Sequence, residues 1–220
     1  PVSDIELLEN GSPISAQAIQ GMDEVASFTS LLVMDNSGSM NFSDKLDTAK
    51  QAASSYVEQM RAADQAGIIT FNTKVQTVQE TTSDKDALLS GIQSIQARND
   101  TAMWDALLKA VETLNPISGR KAIIVLTDGM DNQSSTTPDQ ILSAIGESGL
   151  SISTIGFGTK PEEGATPDEY EGIDEQTLTN LAQQAGGIYG YVEDPQALVN
   201  LYSTIRESLQ SEVVDRKSDG

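Results

Sequence analysis

The sequence predicts an α/β fold: a doubly wound, mostly parallel, Rossmann-like sheet with helices on both faces and one antiparallel edge strand. The first observation is that continuous apolar strands alternate with amphipathic helices, which is typical of parallel sheets covered on both sides. The second is that two of these strands stop abruptly in an acid, at Asp35 and at Asp128. Ligands of such sheets bind at the carboxyl ends of strands where the winding reverses, so we expect both acids at one site.

The first half of the chain predicts two buried strands, an edge strand and two helices. Apolar runs at residues 29–34 and 67–71 are long enough for buried strands. Residues 43–63 predict a helix with a serine cap, because apolar residues recur there at three- and four-residue steps. Residues 74–79 alternate less regularly, which favours an edge strand, and Ser83 is expected to cap the second helix.

The second half continues the alternation after a polar loop. Its predicted helices are residues 104–114, 138–149, 174–185 and 195–209, and its predicted strands are 121–127, 151–157 and 187–192. Pro138 supports its helix, because the first helical position needs no N–H donor. Residues 160–172 are rich in Pro, Gly and acids, and they predict a solvated loop or a partner contact.

The length favours one main domain with two short extensions. Residues 1–26 are interpreted as a leading β-hairpin or an upstream segment, since Asn10-Gly11 and Ser12-Pro13 favour turns. Residues 27–210 are predicted to form the domain and residues 211–220 a polar tail. The extensions suggest that the chain is part of a longer protein.

Composition narrows the possible functions. The formal net charge is −20, which disfavours nucleic acid as a partner and attracts cations. The chain contains no Cys and no His, which excludes disulfides, thiolate metal sites and catalysis by Ser-His-Asp or Cys-His groups. No apolar run approaches the roughly 20 residues of a membrane span, so direct membrane insertion is not expected.

The run Asp35-Asn36-Ser37-Gly38-Ser39 places three oxygen-bearing side chains in one loop after the first core strand. Alternate residues of extended backbone point the same way, so Asp35, Ser37 and Ser39 can converge on one point. These groups are poor nucleophiles without a base, and together they favour a hard cation. Each serine alone is more commonly a turn or cap residue, and Asp35 alone could start a helix; the interpretation depends on their joint occurrence.

Three separated pieces of the sequence together resemble the von Willebrand factor type A domain. They are the Asp35 run, Thr101 in a loop before a helix, and the strand end at Asp128, and the resemblance covers residues 27–209. It implies a metal-ion-dependent adhesion site (MIDAS) in which Ser37 and Ser39 bind the ion directly through their hydroxyl oxygens. Thr101, Asp35 and Asp128 would bind it directly or through water.

The ligand set implies a particular class of cation. Five oxygen side chains with only two formal negative charges suit Mg²⁺ or Mn²⁺, and Ca²⁺ stays open. The sequence departs from the family at Asn99-Asp100, where two glycines are common. Asp100 is therefore expected to alter this loop or to reach the ion through water. Asp131 is expected to lie behind the ligands or at the surface rather than to bind the ion.

The resemblance implies a divalent-cation-dependent module that binds an Asp or Glu of a protein partner, at the cell surface, outside the cell or in the periplasm. The alternative is an assembly module with a permanent partner, within a larger multidomain protein or a multisubunit machine. An enzyme is not expected. A phosphoryl-accepting Asp usually has a second acid two residues on, where this chain has Ser37, and no phosphate-binding loop ends in Lys-Ser or Lys-Thr.

Overall fold

The computed structural model describes residues 8–9, 12–13, 27–98, 100–146, 148–158 and 172–211. The strands are β1 (Leu8–Glu9), β2 (Ser12–Pro13), β3 (Phe28–Asp35), β4 (Gln65–Phe71), β5 (Val75–Thr82), β6 (Arg120–Thr127), β7 (Leu150–Phe157) and β8 (Gly186–Val192). The helices are α1 (Lys45–Glu58), α2 (Lys85–Ser94), α3 (Met103–Leu114), α4 (Pro138–Ile145), α5 (Glu175–Gln184) and α6 (Pro195–Ser211).

Six strands form one sheet in the order β5-β4-β3-β6-β7-β8. All neighbours are parallel except β5, which pairs antiparallel with β4 at one edge. The predicted fold class is therefore confirmed, including its antiparallel edge strand. The winding reverses between β3 and β6, which are hydrogen-bonded neighbours, and this brings the ends of the two acid-terminated strands together.

Alternate residues of β3 point into two separate cores. Leu32 and Met34 pack in the core that α1, α2 and α6 cover, whereas Leu31 and Val33 pack in the core beneath α3, α4 and α5. All eight residues of this strand are buried. The continuous apolar run of β3 is thus explained by helices on both faces of the sheet.

Three boundaries of the helices α1 and α2 differ from the sequence predictions. Ser43 does not cap α1, since both Ser43 and Asp44 have φ of 55° and no side chain caps this helix. The helix also ends at Glu58 rather than near Ala63, because the carboxylate of Asp64 accepts the N–H of Arg61 and holds a tight turn there. The cap of α2 is Asp84, not Ser83, and its carboxylate accepts two backbone N–H groups.

The helix α4 ends at Ile145, four residues before the predicted end, because Gly146 turns the chain with φ of 50°. Of the predicted leading hairpin, the structure describes the antiparallel pair of β1 with β2. The rest of residues 1–26, most of the predicted loop at 160–172 and residues 212–220 lie outside the described residues. Within the described part of the chain, no helix combines the length and the apolar character that crossing a membrane requires.

Candidate metal site

The carboxylate of Asp35 joins the ends of the two central strands. One oxygen, Oδ1, accepts the backbone N–H of Ser37 at 2.8 Å, and Oδ2 accepts the hydroxyl of Thr127 at 2.7 Å. Asp35 is fully buried where β3 ends, and Thr127 is the last residue of β6. Asp35 therefore fixes both the loop that carries the serines and the strand end that carries Asp128.

Ser37, Ser39 and Asp128 form a continuous row of oxygen atoms. The two serine Oγ atoms are 3.0 Å apart, and the hydroxyl of Ser39 donates to Oδ1 of Asp128 at 2.7 Å. Adjacent ligands of an octahedral Mg²⁺ at about 2.1 Å lie about 3 Å from each other. The spacing and the hard oxygen donors of this row therefore both fit a small divalent cation.

The site depends on hydroxyl as well as carboxylate oxygens. Among the described residues, no group of three or more acidic, His or Cys side chains is placed to hold a metal ion. The two carboxylates of the candidate site, Asp35 and Asp128, would balance the charge of one divalent cation. Neutral serine hydroxyls would then supply further ligands without adding negative charge.

Burial raises the pKa of the Asp35 carboxyl. Burial is the main cause and the charge of Asp128 adds to it, so that the pKa rises to about 6 from 3.8. The hydrogen bonds from Ser37 and Thr127 oppose this rise. Near neutral pH the carboxylate is therefore ionised at an energetic cost, which a bound cation would relieve.

Lys45 belongs to the site although no sequence pattern indicated it. Its Nζ donates to Oδ2 of Asp128 at 2.7 Å, and the side chain of Asp128 is fully buried. Lys45 is the first residue of α1, which follows the serine loop directly. The ammonium therefore partly neutralises the acidic pair, and the two oxygens of Asp128 face Ser39 and Lys45 respectively.

Thr101 is buried in the loop before α3, as predicted. Its backbone forms two hydrogen bonds with Asn132: the N–H of Thr101 donates to the side-chain oxygen of Asn132, and the N–H of Asn132 donates to the carbonyl of Thr101. The structure thus joins Asp35, Ser37, Ser39 and Asp128 by hydrogen bonds and Thr101 to the loop that follows Asp128. The ligand role of all five residues stays a prediction.

Asn36 ties the serine loop to the neighbouring part of the domain. Its backbone N–H donates to the carbonyl of Phe71 at the end of β4, and its carbonyl accepts the N–H of Arg98. Its amide also donates to the carbonyl of Gln96. A polar cavity of about 520 Å³ adjoins Asn36, and its lining includes the cationic side chains of Lys74 and Arg98.

Asp131 anchors the start of α3. Its carboxylate accepts the N–H of Trp104 at 2.9 Å and the hydroxyl of Ser134 at 2.7 Å. Asp105 makes the reciprocal contact, because its carboxylate accepts the N–H groups of Ser135 and Thr136. Burial alone would raise the pKa of Asp105, but these hydrogen bonds outweigh it and lower the pKa.

The second acid for which we predicted a supporting role, Asp100, is exposed in the loop before Thr101. Its carboxylate accepts a long hydrogen bond of 3.5 Å from the side chain of Gln133. This contact again links the loop before α3 with the loop after β6. Asp100 and Asp131 therefore both connect the region around the start of α3 with the loop after β6.

Comparisons with known proteins agree with this fold. Residues 30–130 match the family model of the von Willebrand factor type A domain. The chain has a von Willebrand factor A-like α/β fold. The structure of proximal thread matrix protein 1 from the mussel byssus, described with a zinc-occupied MIDAS motif, is similar with a TM-score of 0.70 and 20% identity. That likeness covers 84% of this chain and 46% of the mussel chain.

Two further proteins are similar to this chain. An aerotolerance-related membrane protein of Bacteroides fragilis has a TM-score of 0.69 and 23% identity, over 83% of this chain and 98% of that one. A UPF0353 protein of Nocardia farcinica is 26% identical over 82% of this chain. The chain spans 61–63% of the length of the first curated relatives that it matches.

Proposed function

We propose that this von Willebrand A-like domain is a divalent-cation-dependent protein-binding module. It would bind Mg²⁺, or Mn²⁺ or Ca²⁺ in its place, and through the ion an Asp or Glu side chain of a partner. The proposed ligands are Asp35, Ser37, Ser39, Thr101 and Asp128. The observation that supports this most directly is the row of Ser37, Ser39 and Asp128 oxygens, with spacings of 2.7–3.0 Å.

The two serines, Asp128 and Asp35 have three different roles in this proposal. A bound divalent ion supplies a Lewis-acidic centre with a position that an outside carboxylate can take. Ser37 and Ser39 bind it as neutral donors, and Asp128 supplies charge. Asp35 keeps the serine loop in place through the N–H of Ser37. Because the two carboxylates only balance the ion, a third carboxylate remains favourable.

The same side chains offer little for catalysis, so we propose a binding module rather than an enzyme. The chain has no His and no Cys. The hydroxyl of Ser39 already donates to Asp128, and the ammonium of Lys45 is held by the same carboxylate. Activating either serine as a nucleophile would need a base with a suitable pKa beside it.

The proposed setting is outside the cytoplasm, as part of a longer protein. The likeness to a chain described as an aerotolerance-related membrane protein supports this setting. The chain matches only 61–63% of the length of the first curated relatives, which supports the proposal that it is part of a longer protein. The same fact favours a second candidate, in which the metal site binds a permanent partner within an assembly rather than an exchangeable ligand.

The proposal is tested by calorimetric titration of Mg²⁺ and Mn²⁺ into EDTA-treated protein. The test variant combines Ser37→Ala with Ser39→Ala, and the matched control combines Ser90→Ala with Ser94→Ala on the exposed face of α2. We expect one site in the parent and in the control and no binding in the test variant. Circular dichroism checks that all three proteins are folded.

Absence of metal binding in the parent protein would overturn the proposal. Binding that survives in the serine variant would place the ion elsewhere. Once a partner is found, dissociation in EDTA distinguishes the two candidates, because an exchangeable ligand leaves with the ion, whereas a permanent partner with a large interface stays.

A further inference from the structure

Two large apolar side chains, Phe42 and Met130, face solvent. They are 70% and 51% exposed, whereas the other large hydrophobic side chains in the described ranges are buried or half-buried. Single exposed apolar residues are ordinary on protein surfaces. The position of these two residues calls for an explanation, because each lies on a loop that carries proposed metal ligands.

Both residues lie close in sequence to the row of ligand oxygens. Phe42 follows Ser39 by three residues, and Met130 follows Asp128 by two. Since consecutive Cα atoms are 3.8 Å apart, their Cα atoms lie within about 11 Å and about 8 Å of those ligands. Ser39 and Asp128 are themselves joined by a 2.7 Å hydrogen bond. Phe42 and Met130 therefore each lie within three residues of one end of this hydrogen bond.

Hydrogen bonds restrain the backbone at Phe42 and on both sides of Met130. The N–H of Phe42 donates to the carbonyl of Ser39, and the carbonyl of Phe42 accepts the N–H of Lys45. Met130 lies between Gly129, whose carbonyl accepts the hydroxyl of Thr127, and Asp131, whose carboxylate accepts the N–H of Trp104 at the start of α3. Binding of a partner to these side chains would therefore cost little conformational entropy in the two loops, which favours affinity.

We propose that Phe42 and Met130 form an apolar rim that binds the apolar neighbours of the metal-bound carboxylate. This rests on the proposed function and specifies its partner: a segment with one Asp or Glu between large apolar side chains. The net charge of −20 favours a partner segment with a single acid, because an acid-rich segment would be repelled before it reached the ion. The rim would thus select against acidic segments that lack apolar neighbours.

The test compares two capped pentapeptides with a single central glutamate, flanked by leucine in one and by serine in the other. Their affinities for the parent protein are measured by NMR titration, with the protein saturated with Mg²⁺ and again in EDTA. We expect the leucine peptide to bind about tenfold more tightly, since burying parts of two leucines contributes about 1.4 kcal/mol. We expect neither peptide to bind in EDTA.

Variants then assign the preference to the rim. Phe42→Ser and Met130→Ser should each reduce the leucine peptide's advantage by about threefold and leave the Mn²⁺ affinity unchanged. Ile117→Ser is the control, because Ile117 lies between α3 and β6, before the amino-terminal end of the strand whose carboxyl end leads to Asp128. The Mn²⁺ affinity of each variant also reports that it is folded, and the comparison of peptides in the parent needs no variant.

The outcomes separate this inference from the proposed function. Equal, Mg²⁺-dependent binding of both peptides would overturn the apolar rim and leave the metal-dependent capture of carboxylates standing. Binding of the leucine peptide that persists in EDTA would also overturn the inference, since the rim would then act without the ion. If neither peptide binds at about 10 mM with Mg²⁺ in place, both proposals fail.

Discussion

The side-chain nitrogen of Lys45 lies 2.7 Å from Oδ2 of Asp128, within the candidate metal site. The Asp128 side chain is fully buried, and that of Lys45 is 21% exposed. The ammonium therefore offsets the charge of a carboxylate that also repels Asp35. A divalent cation that binds here must act against this positive charge or displace it towards solvent, and the energetics of the site follow from this competition.

Replacing Lys45 by Met is expected to strengthen Mn²⁺ binding about tenfold, because it removes a like charge from the neighbourhood of the ion. The same change should lower the free energy of unfolding in EDTA by about 1–2 kcal/mol, because Asp128 loses its partner. Calorimetry and urea denaturation measure the two effects. Lys50→Met on the same helix is the control, since the Nζ of Lys50 donates a hydrogen bond to the carbonyl of Gln93 at the surface rather than to a carboxylate of the site. Unchanged metal affinity would show that Lys45 only orients Asp128.

The stability of the metal-free protein should depend on pH through Asp35. Burial, and after it the charge of Asp128, raises the pKa of this carboxyl to about 6, above its ordinary value of 3.8. The folded state therefore holds the proton more tightly than the unfolded state. The resulting stabilisation is fully present below about pH 3.8 and is lost as the pH rises through 6, a change of roughly 3 kcal/mol.

Urea denaturation in EDTA between pH 4 and 8 measures this dependence. Asp35→Asn should reduce the loss of stability between pH 4 and 6, and it should be more stable than the parent at pH 8. Identical pH profiles of the two proteins would contradict the assignment to Asp35. Protons should also compete with the ion, so that the Mn²⁺ affinity of the parent falls below pH 6.

Asp131 is expected to stabilise the fold without binding the ion. Asp131→Ala leaves the N–H of Trp104 without its acceptor, so the free energy of unfolding should fall by about 1 kcal/mol. The Mn²⁺ affinity should stay within about twofold of the parent. Asp139→Ala removes an exposed acid from the first turn of α4 and provides the control. If Asp131→Ala stays folded but binds Mn²⁺ much more than twofold less tightly than the parent, Asp131 would instead be part of the metal site.

Helix α6 packs closely on the last strand at Gly190. A β-carbon added there would lie 2.4 Å from Cδ2 of Leu201, so Gly190→Ala should lower the free energy of unfolding by about 1–2 kcal/mol. Gly129→Ala is the control for stability in EDTA, because a β-carbon at Gly129 meets no atom within 4 Å. Equal stability of the two variants would mean that Leu201 moves aside at no cost.

Much of the fold and part of the site could be predicted because they depend on local spacing and on topology. The apolar runs predicted β3 and β6, and the doubly wound order predicted that these strands are neighbours. The spacing of Asp35, Ser37 and Ser39 within one loop, and the acid at the end of β6, were then enough to bring these three residues and Asp128 together.

The contacts that the sequence did not predict depend on where side chains meet in three dimensions. Lys45 is separated from Asp128 by 83 residues and Thr127 from Asp35 by 92, and neither pair belongs to a spacing pattern. Asp131 reaches α3 only because the loop after β6 folds back across it. The end of α1 depends on the turn that Asp64 closes, which the apolar pattern of the helix does not show.

Helix α6 raises a question about its axial position on the sheet. Its buried residues are Leu198, Tyr202, Ile205 and Leu209, so a slide of seven residues, about 10 Å, would bring Leu198 to where Ile205 now packs. The apolar stripe alone therefore permits more than one axial position of the helix on the sheet. Leu201 does not share this periodicity, since Ser208 stands seven residues on. The space that Gly190 leaves for Leu201 thus favours a single position for a helix of 17 residues.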